Sequence, residues 1–195
     1  MTAMELMHKR RTIRKFRQEP VPHEVLLNCV DCARLSPTSA NLQPLRFQII
    51  EDAETRAKVF ETLLWAGYIK PKGNPQEGER PMAYIAVVQD TNIRKGDAGV
   101  DAGAAMMSMV LAAEEQGLAT AWIASVDRNR LRGILEEASK VQPWPENYRI
   151  MDVLALGYPA QEARAVPMQG DDVRYWLEPD GTLSVPKRAL EDIIL

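Results

Sequence analysis

Arg10, Arg11, Thr12 and Arg14 form the densest chemical signal in the chain. A guanidinium presents a fixed fork of donors that matches a phosphate, and a threonine hydroxyl adds one more. In extended backbone alternate residues share a face, so Arg10, Thr12 and Arg14 look one way while Arg11 and Ile13 look the other. One face thus offers two cations and a hydroxyl to an anion. A second segment, Ser-Pro-Thr-Ser-Ala-Asn-Leu-Gln-Pro at residues 36–44, is dense in neutral donors and acceptors. The amides of Asn41 and Gln43 can pair with the edge of a polar heterocycle. Together the two segments suggest a ligand with a phosphate at one end and a polar ring at the other. The plainer alternatives are a solvated basic arm, an arm that touches nucleic acid, and an ordinary turn.

Other chemistries lack their residues. Cys29 and Cys32 have redox or metal spacing, but there is no second pair, and a place for both on the apolar stripe of a helix favours burial. His8 and His23 are the only histidines, so neither a catalytic histidine nor a metal site is expected. No Gly-x-Gly-x-x-Gly or Walker loop occurs. Ser36, Ser39, Ser108 and Ser125 lack the setting of a nucleophile elbow, and Asp101, Asp152 and Asp171 have no evident carboxylate partner. An enzyme with so few reactive side chains needs a cofactor that carries the reaction itself.

The chain has 195 residues, 46% hydrophobic and 26% charged, which suits one globular domain spanning 1–195. Its net charge is −3, yet residues 1–17 hold six basic side chains against Glu5 alone. The remainder is therefore acidic. That balance, with no zinc-finger or aromatic-basic pattern, argues against a nucleic-acid partner. Two cysteines do not make a secreted disulfide scaffold, and no apolar run follows the basic cluster. The weakly polar stretch at 98–113 falls short of the roughly 18–20 apolar residues a membrane span needs. A soluble cytoplasmic protein is expected.

These residues need elements to position them. Periodicity predicts a short helix at 5–10 and an extended segment at 11–16. Pro22 suits the start of a helix that runs to about Leu35. Residues 45–50 read as a strand, and Asp52 caps a helix from 53 to about 68. Residues 70–81, rich in proline, glycine and charge, form a mobile excursion of the kind that serves as a lid. The nearly unbroken apolar run 82–88 predicts a central strand. A small-residue helix at 97–116 stops at Gly117, and a strand follows at 119–124. Asp127 caps a helix at 128–139, and after the 140–146 loop a strand at 150–156 ends in Gly157-Tyr158-Pro159. The tail reads as a hairpin around Asp180-Gly181 and a final helix at 190–194. Helices and strands interleave, so a sheet covered on both sides is the expected architecture. The small-residue helix and the thin tail both hint at a second copy of the chain.

Set in order, these segments resemble the flavin-dependent nitroreductase superfamily. The resemblance lies in Arg10-Arg11-Thr12-Ile13-Arg14-Lys15-Phe16, the 36–44 segment, Gly117-Leu118-Ala119-Thr120-Ala121-Trp122-Ile123, Leu156-Gly157-Tyr158-Pro159 and Pro186-Lys187-Arg188. It implies an α+β, three-layer fold with a mixed central sheet flanked by helices. It also implies an obligate homodimer with FMN at the interface and a tail, residues 164–195, that wraps the partner. By the same resemblance, Arg10, Arg11, Thr12 and Arg14 hold the phosphate and ribityl groups, joined by Lys187 and Arg188 from the tail. Pro37, Thr38, Ser39 and Asn41 line the flavin, one held mainly by the other subunit. Ala121, Trp122, Ile123 and Ala124 approach the ring near its reactive nitrogen. Thr12 stands where serine is usual and keeps the hydroxyl. Ala124 stands where glycine is common, which tightens access to the ring edge.

The implied activity passes hydride or electrons from NADH or NADPH through FMN to a small organic acceptor such as a nitroaromatic or quinone. A flavin-binding or sensing protein without turnover is the alternative. Acceptor selection falls to the region from Trp65 to Pro81, with Trp65, Tyr68 and Lys70 as candidate substrate contacts, or to the 140–146 loop.

Overall fold

The computed structural model describes residues 1–195. Its central sheet has four antiparallel strands, β1 (Leu45–Ile50), β2 (Ala83–Asp90), β3 (Ala119–Ile123) and β4 (Tyr148–Gly157), in the order β1-β2-β4-β3. Five helices cover it: α1 (Ala3–Lys9), α2 (His23–Arg34), α3 (Ala53–Phe60), α4 (Gly99–Glu115) and α5 (Arg128–Ala138). The apolar run of β2 is explained by burial on both faces. Ala83, Ile85 and Val87 pack with Leu26 and Cys29 of α2 and Met106 and Met109 of α4. Tyr84, Ala86 and Val88 pack on the opposite side with Val59 of α3 and Leu131 and Leu135 of α5. Strand alternation thus divides the core into two halves and gives the expected three layers.

The parallel component of the sheet is slight. Thr12 forms a single parallel bridge to Thr120, with the Ile13 amide donating to the Thr120 carbonyl at 2.9 Å. This fastens Thr12 and Ile13 to the outer edge of β3, while Phe16 bridges Pro159 just past β4. Phe16 is fully buried, and a Cβ at Gly157 would come within 3.0 Å of its ring, so the glycine permits the approach.

Both predicted aspartate caps form: Thr55 N donates to Asp52 Oδ1 at 2.8 Å and Arg130 N to Asp127 Oδ1 at 3.1 Å. The helix expected over 53–68 is shorter, ending at Phe60. Leu63, Leu64 and Trp65 are consecutive apolar residues, which suits extended chain. Leu63 bridges Val126 and the Leu64 amide donates to the Ser125 carbonyl at 3.0 Å. Ala66, left-handed at φ 45°, then turns the chain into the short 3₁₀ turn Gly67–Ile69. Cys32 is exposed, whereas Cys29 lies in the core with its thiol pushed up to about 12 by burial.

The excursion at 70–81 is anchored at its far end. Lys15 pairs with Glu79 at 2.9 Å and the Phe16 amide donates to the Glu79 carbonyl at 2.9 Å. In the tail, β5 (Ala163–Pro167), β6 (Trp176–Leu177) and β7 (Leu183–Lys187) form a small second sheet, with β6 and β7 making the hairpin around Asp180-Gly181. The expected last helix is absent. Residues 189–193 make only i→i+3 turns, because a single exposed turn has too few hydrogen bonds to offset its own ordering. No helix is long and apolar enough to cross a membrane.

Candidate functional site

Six cations crowd the first seventeen residues, and half of them are neutralised within the chain. Lys9 pairs with Glu114, Lys15 with Glu79 and Arg17 with Glu19. Arg10, Arg11 and Arg14 take no carboxylate. Arg11 donates from Nη1 to the Arg10 carbonyl while its buried Nε finds no acceptor. The Arg14 guanidinium lies over the ring of Tyr175 from the tail, 4.8 Å from its centroid. Burial, and for Arg11 the adjacent Arg10, lowers the pKa of both Arg11 and Arg14 from the ordinary arginine value. The local environment therefore disfavours cations that remain cations, and an anion would reverse that cost.

Arg14, but neither Arg10 nor Arg11, lines a groove of about 200 Å³ along the edge of β3. Its walls are Thr12 and Arg14, the 121–125 segment, Leu64 to Gly67, and Tyr175. Alternation along β3 sends Ala121 and Ile123 into the α3–α5 side of the core and leaves Trp122 on the α4 side, where its Nε1 donates to Asp152 at 2.8 Å. The 121–124 segment therefore offers the groove chiefly backbone. Trp65 is 5% exposed and stacks on Phe60 at 5.3 Å, and the Arg80 guanidinium lies over the Phe60 ring at 4.0 Å. Trp65 Nε1 takes no partner in the chain. Tyr68 reaches the rim through an edge contact with Tyr175 at 5.1 Å.

The remaining predicted residues lie elsewhere. Pro37, Thr38, Ser39 and Asn41 belong to the segment between α2 and β1, on the α4 side of the sheet and leading to the edge opposite β3. Ser39 is bound there to Asp101, through N and Oγ at 3.0 Å each, and Ser36 Oγ meets Ser108 Oγ at 2.7 Å. Lys187 ends β7, and Arg188 pairs with Asp171 at 3.0 Å. Neither these two nor Lys70 lines the groove.

Two residues of consequence were not legible as site residues in the sequence. Tyr175 sits in a tail that reads as belonging to a neighbour. Asp101 reads as a carboxylate without a partner, although an aspartate in the first turn of an apolar helix was itself a signal. A larger cavity, about 480 Å³, opens along β1 between Leu27, Phe47, Val141 and Trp144. Of its charged lining, His23 pairs with Glu51 at 3.0 Å and Arg46 with Asp90 outside the cavity at 3.4 Å, while Lys140 takes no carboxylate. Chemistry therefore points to the smaller groove.

Known proteins bear on this geometry. The sequence profile of the Nitroreductase family matches residues 7–158. An NADH dehydrogenase of Thermus thermophilus is 26% identical over 181 residues, covering 79% of this chain and 85% of that one. An iodotyrosine deiodinase of Haliscomenobacter hydrossis is 27% identical, covering 86% of this chain and 84% of that one. Among solved structures, an FMN-dependent nitroreductase from Clostridium difficile R20291 has the same fold at a TM-score of 0.65. It is 23% identical and covers 86% of this chain and 92% of its own.

Proposed function

Because the chain belongs to the nitroreductase family, we propose that it is an FMN-dependent oxidoreductase that takes hydride from NADH or NADPH and reduces a small organic acceptor. The single observation that carries this reading is the Arg14 guanidinium, without a carboxylate and followed back along the chain by the equally unpaired Arg11 and Arg10, in a groove walled by backbone and aromatic rings. A flavin phosphate bears close to two negative charges, which Arg10, Arg11 and Arg14 would neutralise. The unpartnered Arg11 Nε and Trp65 Nε1 supply donors that such a ligand would satisfy.

When bound, FMN supplies the two-electron chemistry that no side chain here can. The protein's work is to bind, orient and exclude water. Thr12 and Arg14 would hold the ribityl and phosphate end. The 121–124 backbone would border the ring, and Trp65, Tyr68 and Tyr175 would form the wall against which an acceptor lies. Lys187 and Arg188 would add charge from the end of β7. No side-chain acid is assigned. The proposed acceptor is a small ring compound such as a nitroaromatic or a quinone.

A second copy of the chain is the proposed cover of the groove. Val100 is 81% exposed, and with Gly103, Ala104, Met107 and Leu111 it makes an apolar stripe along α4. Trp122 reaches one part of that stripe, lying 3.7 Å from where a Cβ of Gly103 would stand. Ser36 reaches another, donating to the Ala104 carbonyl at 3.4 Å. Two copies packed stripe to stripe would bring the 37–41 segment of one toward the groove of the other. The tail, residues 164–195, is proposed to wrap the partner, with residues 163–187 forming the small sheet from which residues 189–195 extend. Their exposed Leu190, Ile193 and Ile194 suit the apolar cavity along β1.

Purification followed by heat release and chromatography of the bound flavin tests the cofactor, with stoichiometric FMN expected. Steady NADH or NADPH oxidation on adding a quinone or nitroaromatic tests turnover. Recovery of FAD, or of no flavin after reconstitution, contradicts the reading.

A further inference from the structure

We propose that Asp101 is a positioning residue for the flavin site: its buried carboxylate, anchored by Arg94, fixes the 38–43 segment in the one conformation that meets the ligand. The proposal rests on the flavin reading above. Asp101 is 2% exposed in the first turn of α4. Oδ1 accepts both the amide and the hydroxyl of Ser39 at 3.0 Å, and Oδ2 accepts Arg94 Nη1 at 2.7 Å. Arg94 is delivered from the core. Gln89, fully buried on β2, donates through Nε2 to the carbonyls of Arg94 at 2.7 Å and Gly96 at 2.6 Å. A continuous chain of polar contacts thus runs from the sheet, through the 90–98 connection, to the segment assigned to the flavin.

That segment needs an anchor. Ala40, Asn41 and Gln43 all have positive φ, at 50°, 55° and 52°, a region that L side chains resist. The Gln43 amide donating to Thr38 Oγ1 at 3.1 Å closes the turn, and Asp101 holds its near end. Such strain persists only where surrounding contacts over-determine it, and it concentrates at ligand sites. A buried ion pair is weak evidence of stability, since an apolar pair would pack as well; its better attested use is to fix one arrangement. Here the arrangement is that of neutral donors on a loop. If the loop relaxes, the apparent ligand affinity falls in proportion to the competent fraction.

The test uses the full chain and two measurements: amide hydrogen exchange of residues 38–43, and FMN titration followed by flavin fluorescence. Asp101→Ala should speed exchange in this segment and raise the Kd for FMN at least about 10-fold. Asp101→Asn, which retains an oxygen for Ser39, should recover part of that loss. Should Asp101→Ala not fold, Asp101→Asn and Ser39→Ala carry the test, each with a smaller rise in Kd and faster exchange in this segment. A lower Tm with unchanged Kd, or unchanged exchange, would overturn the positioning role while leaving the flavin reading intact. A wild-type chain that binds no FMN overturns the flavin reading and this role together.

Discussion

The two edges of the sheet differ in a way that volume does not rank. Along β1 lies the larger cavity, about 480 Å³, where His23 and Arg46 are paired and Lys140 alone takes no carboxylate. Along β3 lies a groove of about 200 Å³ lined by the Arg14 guanidinium, which has no carboxylate. A cavity whose charges mostly find partners asks for apolar filling. A groove with an unpaired cation and an unpartnered indole N–H asks for a ligand that brings charge. The difference in bonding state, and not in size, separates the edge proposed for catalysis from the edge proposed for a neighbour's tail.

Substitutions at the two edges sharpen that contrast. Arg11→Ala and Arg14→Ala should each weaken FMN retention by about 1.5–3 kcal/mol, roughly 10- to 150-fold, by loss of charged hydrogen bonds. His23→Ala at the other edge should change it less than about twofold, its pair with Glu51 being exposed. Flavin fluorescence titration measures all three, and equal losses at both edges would erase the distinction.

Gly157→Ala acts on the mounting of the groove. Its Cβ would meet the ring of Phe16, which holds the end of the basic segment against Pro159. We expect a loss of about 1–3 kcal/mol in urea unfolding from this overpacking. A neutral result would mean that the ring shifts freely.

Acid should reveal the Asp101 anchor. Burial favours its neutral form, but bonds from Ser39 and Arg94 outweigh that and hold its pKa below the ordinary aspartate value of 3.8. A carboxylate with a depressed folded pKa contributes stability above its unfolded pKa and loses it as pH falls through the folded one. The stability gap between wild type and Asp101→Asn should therefore narrow once pH drops below the usual aspartate range. Urea midpoints across an acid series measure it, and a gap that widened would reverse the assignment.

Trp65→Phe is the mildest change. It keeps a ring against Phe60 and removes the unpartnered N–H. We expect FMN or acceptor binding to weaken by about 0.5–1.5 kcal/mol. The ligand-free Tm should fall no further than the smaller ring dictates, since no bond within the chain is lost.

Much of the three-layer architecture was legible because it rests on local patterns. The unbroken apolar run ending at Val88 requires cover on both faces, and Asp52 and Asp127 cap the helices that give part of it. What could not be read depends on distant partners. Leu63 and Leu64 leave the helical path because Val126 and Ser125 accept them as an extended neighbour. The basic segment announced its anion chemistry through composition alone. Tyr175, more than 150 residues away, joins Arg14 only through the fold of the tail. Asp101 likewise acquires meaning from Ser39 and Arg94, which no spacing rule connects.

The central claim is that the unpaired guanidiniums beside β3 receive a flavin phosphate, and riboflavin, which lacks that phosphate, tests it most directly. Ligand-free protein would be titrated with FMN and with riboflavin, for the wild type and for Arg14→Ala, the guanidinium that lines the groove. We predict that the wild type prefers FMN by at least about 10-fold, as one or more charged hydrogen bonds require, and that the variant loses most of that preference. Equal affinity of the wild type for both flavins, or a preference untouched by the substitution, would contradict the account.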